Sequence, residues 1–197
     1  MNILIAVPTY DSIEPDCFKS IYNLLWPQDC AVTFNYIKGY DCARTRNMIA
    51  KEAIDNNYDY VLMVDSDIVV PQNTLIALFE AQKDIIAGWY TRKRTLIGQT
   101  ELYSLGEKDF TDKNNINEKD IIPNQILEIK GCGMGCAFIK VDLFHKIGQS
   151  KWYEYIEYPN GTVLSEDLCF CSKLNKLNIP IFCHTGIKCG HINKFIL

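Results

Sequence analysis

The chain lacks any apolar run near the roughly 18 residues that a membrane-spanning helix requires. Its longest runs, such as residues 60–64, are strand-length, so no membrane span is expected. It also lacks an excess of either charge: 20 Lys+Arg stand against 24 Asp+Glu, a net charge of −4. This balance argues against a protein that holds nucleic acid or an anionic membrane by charge alone. The start of the chain has no basic segment ahead of its apolar run, so a secretory leader is not expected. No internal repeat and no linker interrupt residues 1–197, which are read as one domain. No Cys-x-x-Cys pair occurs among the nine cysteines, an odd number spread through apolar segments. They read as reduced thiols of a cytoplasmic protein. The irregular spacing of Cys183, His184, Cys189 and His191 speaks against a structural zinc site.

The sequence holds 48% hydrophobic and 22% charged residues, close to the globular average, so it should bury a sizeable core. Residues 2–7 form a near-continuous apolar run of the kind found in a strand buried on both faces. Pro15 opens a helix carrying Cys17, Ile21, Leu24 and Leu25, and Pro27 closes it. Residues 31–37 alternate like a strand, and residues 44–57 put Met48, Ile49, Ala53 and Ile54 on one side of a second helix. Residues 60–64 form a third strand, Pro71 sits at the first turn of a helix with Leu75, Leu78 and Phe79, and residues 85–89 form a fourth strand. The alternation is that of an α/β protein with a Rossmann-like half.

Residues 106–123 carry five acids and three lysines without apolar periodicity and read as a mobile loop or a hairpin tip. Strands are expected at 126–130 and 137–140, with a short helix at 141–147. Ser165 is placed to cap a helix carrying Phe170, Leu174 and Leu177, and residues 181–183 and 187–189 are the last strands. Trp152 and Tyr153, in an aromatic stretch with no obvious strand partner, are expected to form a lid with residues 106–123. The alternative for Trp152 is buried core.

The sharpest chemical feature is Asp65-Ser66-Asp67, directly after an apolar strand. Residues two apart on a strand face the same way, so both carboxylates are expected in the crevice at its carboxyl end. Two acids there would repel a diphosphate unless a divalent cation lay between them. Arg44 and Arg46 stand at a helix start, where the macrodipole disfavours cations, so an anion beside Arg46 is one explanation. Pairing of Arg44 with Asp41 is the simpler reading for that residue. Arg92, Lys93 and Arg94 follow the fourth strand and could meet a diphosphate or an acceptor, with Arg92 favoured. Gly131, Gly133 and Gly135 are not followed by a helix long enough for a dinucleotide fingerprint and are read as letting the backbone be approached closely, by a sugar or an acceptor under the resemblance named below.

In order along the chain, Pro8-Thr9-Tyr10-Asp11, Arg46-Asn47, Asp65-Ser66-Asp67, Trp89-Tyr90-Thr91-Arg92, residues 133–138, Ser165-Glu166-Asp167 and Gly190-His191 resemble the GT-A glycosyltransferases, specifically small bacterial and phage-type family 2-like members. The resemblance implies an α/β fold, a single Rossmann-like GT-A domain with a central, mostly parallel sheet and helices on both faces. It implies transfer of a hexosyl or pentosyl group from a nucleoside diphosphate sugar, UDP-sugar by default, to an acceptor hydroxyl. Tyr10 and Asp11 would line the nucleoside pocket, with Pro8, Thr9, Arg46, Ser66, Arg92 and Gly133 also on the donor. Asp65 would lie near the ribose and the metal, and Asp67 and His191 would bind the Mn²⁺ or Mg²⁺ cofactor. Asp167 would be the base and Glu166 would support the acceptor. The acceptor, whether glycan, protein, lipid or modified nucleobase, is not specified. The alternatives are a nucleotide-sugar-binding module without turnover and a nucleotidyltransferase, whose usual Gly-rich, Lys-bearing loop is missing after Val7.

Overall fold

The computed structural model describes residues 1–93, 98–105, 113–148 and 151–193. Its elements in chain order are β1 (Asn2–Thr9), α1 (Pro15–Tyr22), β2 (Ala31–Lys38), α2 (Cys42–Asp55), β3 (Tyr60–Val64), β4 (Ile68–Val69), α3 (Thr74–Glu80), β5 (Ile85–Trp89), β6 (Gln99–Leu105) and β7 (Lys113–Asn117). They continue with β8 (Ile126–Ile129), β9 (Gly131–Cys132), β10 (Cys136–Lys140), α4 (Asp142–Ile147), β11 (Ile156–Glu157), β12 (Val163–Leu164), α5 (Glu166–Lys176), β13 (Ile181–Lys188) and β14 (Gly190–His191).

Seven strands form the central sheet in the order β2-β1-β3-β10-β5-β13-β8. β2, β1 and β3 are parallel, β5 and β13 are parallel, and β10 and β8 run against their neighbours. Five strands therefore share one direction, and their carboxyl ends make one edge of the sheet. The apolar run of β1 explains its central place. Ile3, Ile5 and Val7 pack with Cys17 and Ile21 of α1 and Leu75 and Leu78 of α3. Leu4 and Ala6 pack on the other side with Ile49 and Ala53 of α2 and Phe170 and Leu174 of α5. Side-chain alternation thus feeds two cores, and helices cover both faces.

Several boundaries differ from the sequence reading. α1 ends at Tyr22, five residues before Pro27, because Leu24 turns back into the core while Leu25 faces outward. The two strands expected after residue 180 are one irregular strand, β13, followed by the short β14. Part of the polar stretch 106–123 is also regular. Lys113–Asn117 pairs antiparallel with β6, where the Thr100 hydroxyl donates to the Ile116 carbonyl and the Asn115 amide donates to the Thr100 carbonyl. The polar side chains thus support the ladder, and the hairpin alternative describes these five residues better than a loop does. Residues 106–112 lie outside the described residues.

Candidate active site

β3 delivers Asp65 to the carboxyl edge of the sheet, where the Ile68 N–H donates to the Asp65 carbonyl and closes a turn. Asp65-Ser66-Asp67 therefore occupies a turn, and strand alternation does not aim its carboxylates. The two diverge: Asp65 faces α2, whereas Asp67 faces the segment after β5 and the end of the described chain. Ser66 lies between them, its carbonyl accepting from the Glu14 N–H.

Asp41 caps α2 by accepting from the Arg44 N–H at 3.0 Å, and the Arg44 guanidinium lies over the Tyr40 ring. With that helix end satisfied, Arg46 falls on the inward face and is only 2% exposed. It donates to both oxygens of Asp65, at 2.9 and 3.3 Å, and its Nε lies 3.5 Å from Glu166 Oε1. Burial opposes the charge, but Asp65 and Glu166 outweigh it and hold the guanidinium firmly protonated. The anion that the misplaced arginine suggested is the protein's own pair of carboxylates.

Glu166 and Asp167 occupy the first turn of α5. Ser165 stands at the N-cap position, but its side chain makes no capping hydrogen bond. Burial and then the Asp167 charge push the Glu166 carboxyl above its ordinary range, against the pull of Arg46, and the Tyr155 hydroxyl shares a hydrogen bond with it. Asp167 Oδ1 accepts from the Leu168 N–H at 3.0 Å, and among the described residues Asp167 forms no ion pair.

Tyr90 fills the space beneath the site. Its hydroxyl accepts from the Gly135 N–H at 3.1 Å, and its ring meets His191 edge-on with centroids 5.2 Å apart. A Cβ on Gly133 or Gly135 would lie 2.3 or 2.7 Å from the Tyr90 hydroxyl. These glycines thus make room for a tyrosine, which corrects their reading as an approach path for sugar or acceptor.

The segment after β5 divides its charges. Arg92 Nε lies 3.1 Å from Glu101 Oε1, and Tyr103 donates to the other oxygen of Glu101. Lys93 turns the opposite way and donates to Asp67. Arg94 lies outside the described residues. Glu101 and Tyr155 carry no motif that singles them out, and sequence reasoning missed their place in the site.

His191 reaches this place through β14, whose Gly190 and His191 pair with Val69 and Ile68 of β4. The Ile192 N–H also donates to the Asp67 carbonyl. Because a carbonyl can only accept, the 2.8 Å contact of His191 Nδ1 with the Thr91 carbonyl places the proton on Nδ1. The other ring nitrogen, Nε2, lies 3.8 Å from Asp67 Oδ1. A neutral imidazole nitrogen and a carboxylate oxygen, with a second hydrogen bond orienting the ring, form a donor set suited to Mn²⁺ or Mg²⁺. Among the described residues no group of three or more metal-ligating side chains gathers, so such an ion would need further ligands from elsewhere.

At the far side of the carboxyl edge, a cleft of about 440 Å³ is lined by Thr9, Asp11, Phe34, Tyr36 and Lys38, among others. Thr9 is buried and donates to the Ser12 carbonyl, and Pro8 is buried beside it. Asp11 pairs with Lys38 at 3.5 Å, while Tyr10 is 78% exposed. The aromatic walls come from Phe34 and Tyr36 of β2 and Phe18 of α1.

The lid expected from Trp152 and Tyr153 is not formed. Both are buried: Trp152 donates its indole N–H to the Phe144 carbonyl at 2.8 Å, and Tyr153 stacks on Phe170. The cysteines form no disulfide among the described residues, and seven of the nine are buried.

Comparison of the sequence with protein-family models and with curated protein sequences gives no match. Solved structures do resemble it. The crystal structure of A197 from STIV aligns with 98% of this chain and 87% of its own, with a TM-score of 0.65 and 20% identity. GalNAc-T7, crystallised with UDP, GalNAc and Mn²⁺, aligns with 98% of this chain at a TM-score of 0.56 and 11% identity. This chain spans 44% of the GalNAc-T7 chain. The fold is therefore the mixed α/β, GT-A-like fold of glycosyltransferases, with a central seven-stranded sheet between helices. No helix among the described residues is long and apolar enough to cross a membrane.

Proposed function

We propose that residues 1–197 act as one metal-dependent glycosyltransferase domain that moves a sugar from a nucleoside diphosphate sugar, UDP-sugar by default, to an acceptor hydroxyl. The observation that carries this reading is the convergence of His191 Nε2 on Asp67 at the carboxyl edge of a GT-A-like sheet. Asp67 and His191 would hold Mn²⁺ or Mg²⁺, with donor oxygens completing the coordination and Asp65 nearby, held by Arg46. Bound there, the ion supplies charge neutralisation for the diphosphate leaving group.

The remaining roles belong to the chain's own residues. The cleft between Thr9 and Tyr36 would take the nucleobase between aromatic walls, with Tyr10 and Asp11 at its mouth. Arg92, paired with Glu101, is a further donor-side candidate. The acceptor oxygen would attack the anomeric carbon as the bond to the diphosphate breaks, and its proton would pass to Asp167, the acid left without an ion pair among the described residues. Glu166, buried against Arg46 and Tyr155, would shape the acceptor side. Free, mostly buried thiols suit a cytoplasmic setting.

Incubating the protein with UDP-sugars and Mn²⁺ tests the reading. Slow donor hydrolysis that disappears in Asp67→Asn supports it. Donor binding without hydrolysis indicates a binding module, and pyrophosphate release from a nucleoside triphosphate indicates a nucleotidyltransferase.

A further inference from the structure

The three residues Thr91 to Lys93 touch both candidate metal ligands. The Thr91 carbonyl orients the His191 ring, and two residues later the Lys93 ammonium donates to Asp67 Oδ2. Neither partner of that pair is freely solvated, with side-chain exposures of 31% for Lys93 and 33% for Asp67. The neighbouring cation Arg92 is turned away, onto Glu101. Asp67 therefore has one oxygen engaged by an ammonium and the other facing an imidazole nitrogen.

We propose that Lys93 is the resident counter-cation of Asp67: a divalent ion displaces it, and it then pairs with the diphosphate of the donor. The inference rests on the donor-site reading above and adds a binding residue and an order to it. An ion arriving alone must break the Lys93–Asp67 pair and leave an ammonium close to a dication, two like charges in a partly desolvated site. An ion arriving with a nucleoside diphosphate brings anionic oxygens to which the ammonium can transfer. The flexible stem of lysine and its three donors suit such a change of partner, which a planar guanidinium fixed by a carboxylate does not. Metal and nucleotide binding are thereby coupled, each strengthening the other.

The test is a titration of Mn²⁺ followed by the electron paramagnetic resonance of the free ion, with and without UDP, on wild type and Lys93→Met. Without UDP, Lys93→Met is expected to bind Mn²⁺ at least about fivefold more tightly than wild type. The gain in Mn²⁺ affinity on adding UDP should shrink in the variant by a similar factor. Lys51→Met, which removes an exposed charge on α2, should match wild type. Lys93→Gln provides the same comparison should the methionine variant aggregate. Equal Mn²⁺ affinities of wild type and both Lys93 variants without UDP would overturn the inference while leaving the donor site standing. Absence of Mn²⁺ binding in every protein, with and without UDP, would overturn both.

Discussion

Arg46 gives each of its terminal amino groups to one oxygen of Asp65, at 2.9 and 3.3 Å, and so ties the first turns of α2 to the turn that follows β3. The same guanidinium approaches Glu166 at the start of α5. Three segments distant in sequence are thus held by one buried cation. Truncating it to alanine leaves two carboxylates facing a void, and the expected loss is about 3–5 kcal/mol. Urea unfolding of Arg46→Ala measures this, and a loss below about 1 kcal/mol would mean that water satisfies both acids.

Glu166 sets a pH dependence whose sign can be worked out. Burial and Asp167 raise its carboxyl above the ordinary value of 4.5, so the folded chain keeps this proton to higher pH than the unfolded chain does. The stability contributed is full below the unfolded value and is lost as pH rises through the raised folded value. Glu166→Gln removes that slope. The melting temperature of the variant relative to wild type should therefore climb as pH rises above about 4.5, and a flat difference would refute the upward shift.

Asp167 separates chemistry from binding. Asp167→Asn should retain donor affinity and lower sugar transfer by about 10²-fold or more, as loss of a general base does. Calorimetric titration with UDP and Mn²⁺, beside a transfer assay, reads both quantities. Transfer at the wild-type rate would reduce Asp167 to an acid that complements the α5 dipole.

Trp152 is a packing residue, hydrogen-bonded to Phe144 and edge-on to its ring. Trp152→Ala should cost about 3–5 kcal/mol in chemical denaturation. The surviving folded protein should partition donor between hydrolysis and transfer as wild type does. A stable variant with increased hydrolysis would restore the lid.

The parts of the protein that local pattern determines were legible in the sequence alone. The apolar runs of β1, β3 and β5 mark strands buried on two faces, and Ile49 and Ala53 mark the inward side of α2, although Met48, read with them, is exposed. The place of Asp65-Ser66-Asp67 at a strand's carboxyl end follows from the same pattern. Arg46 was open to two readings, since an arginine in the first turns of a helix carries no local sign that two distant carboxylates will bury it.

Tertiary structure alone decided the rest. A two-residue pairing of β14 with β4 brings His191 to Asp67, and two residues are too few to show a period. The choice of Lys93 over Arg92 at Asp67 depends on how the chain turns after β5, where Glu101 of the next strand captures the arginine. Lys113–Asn117 is a strand because β6 lies beside it and Thr100 and Asn115 bond across the ladder. Trp152 enters the core because the ring and the carbonyl of Phe144 await it there. In each case the deciding partner is remote along the chain or reached through an irregular turn, and such contacts are set by packing, which a residue's own neighbours in sequence do not record.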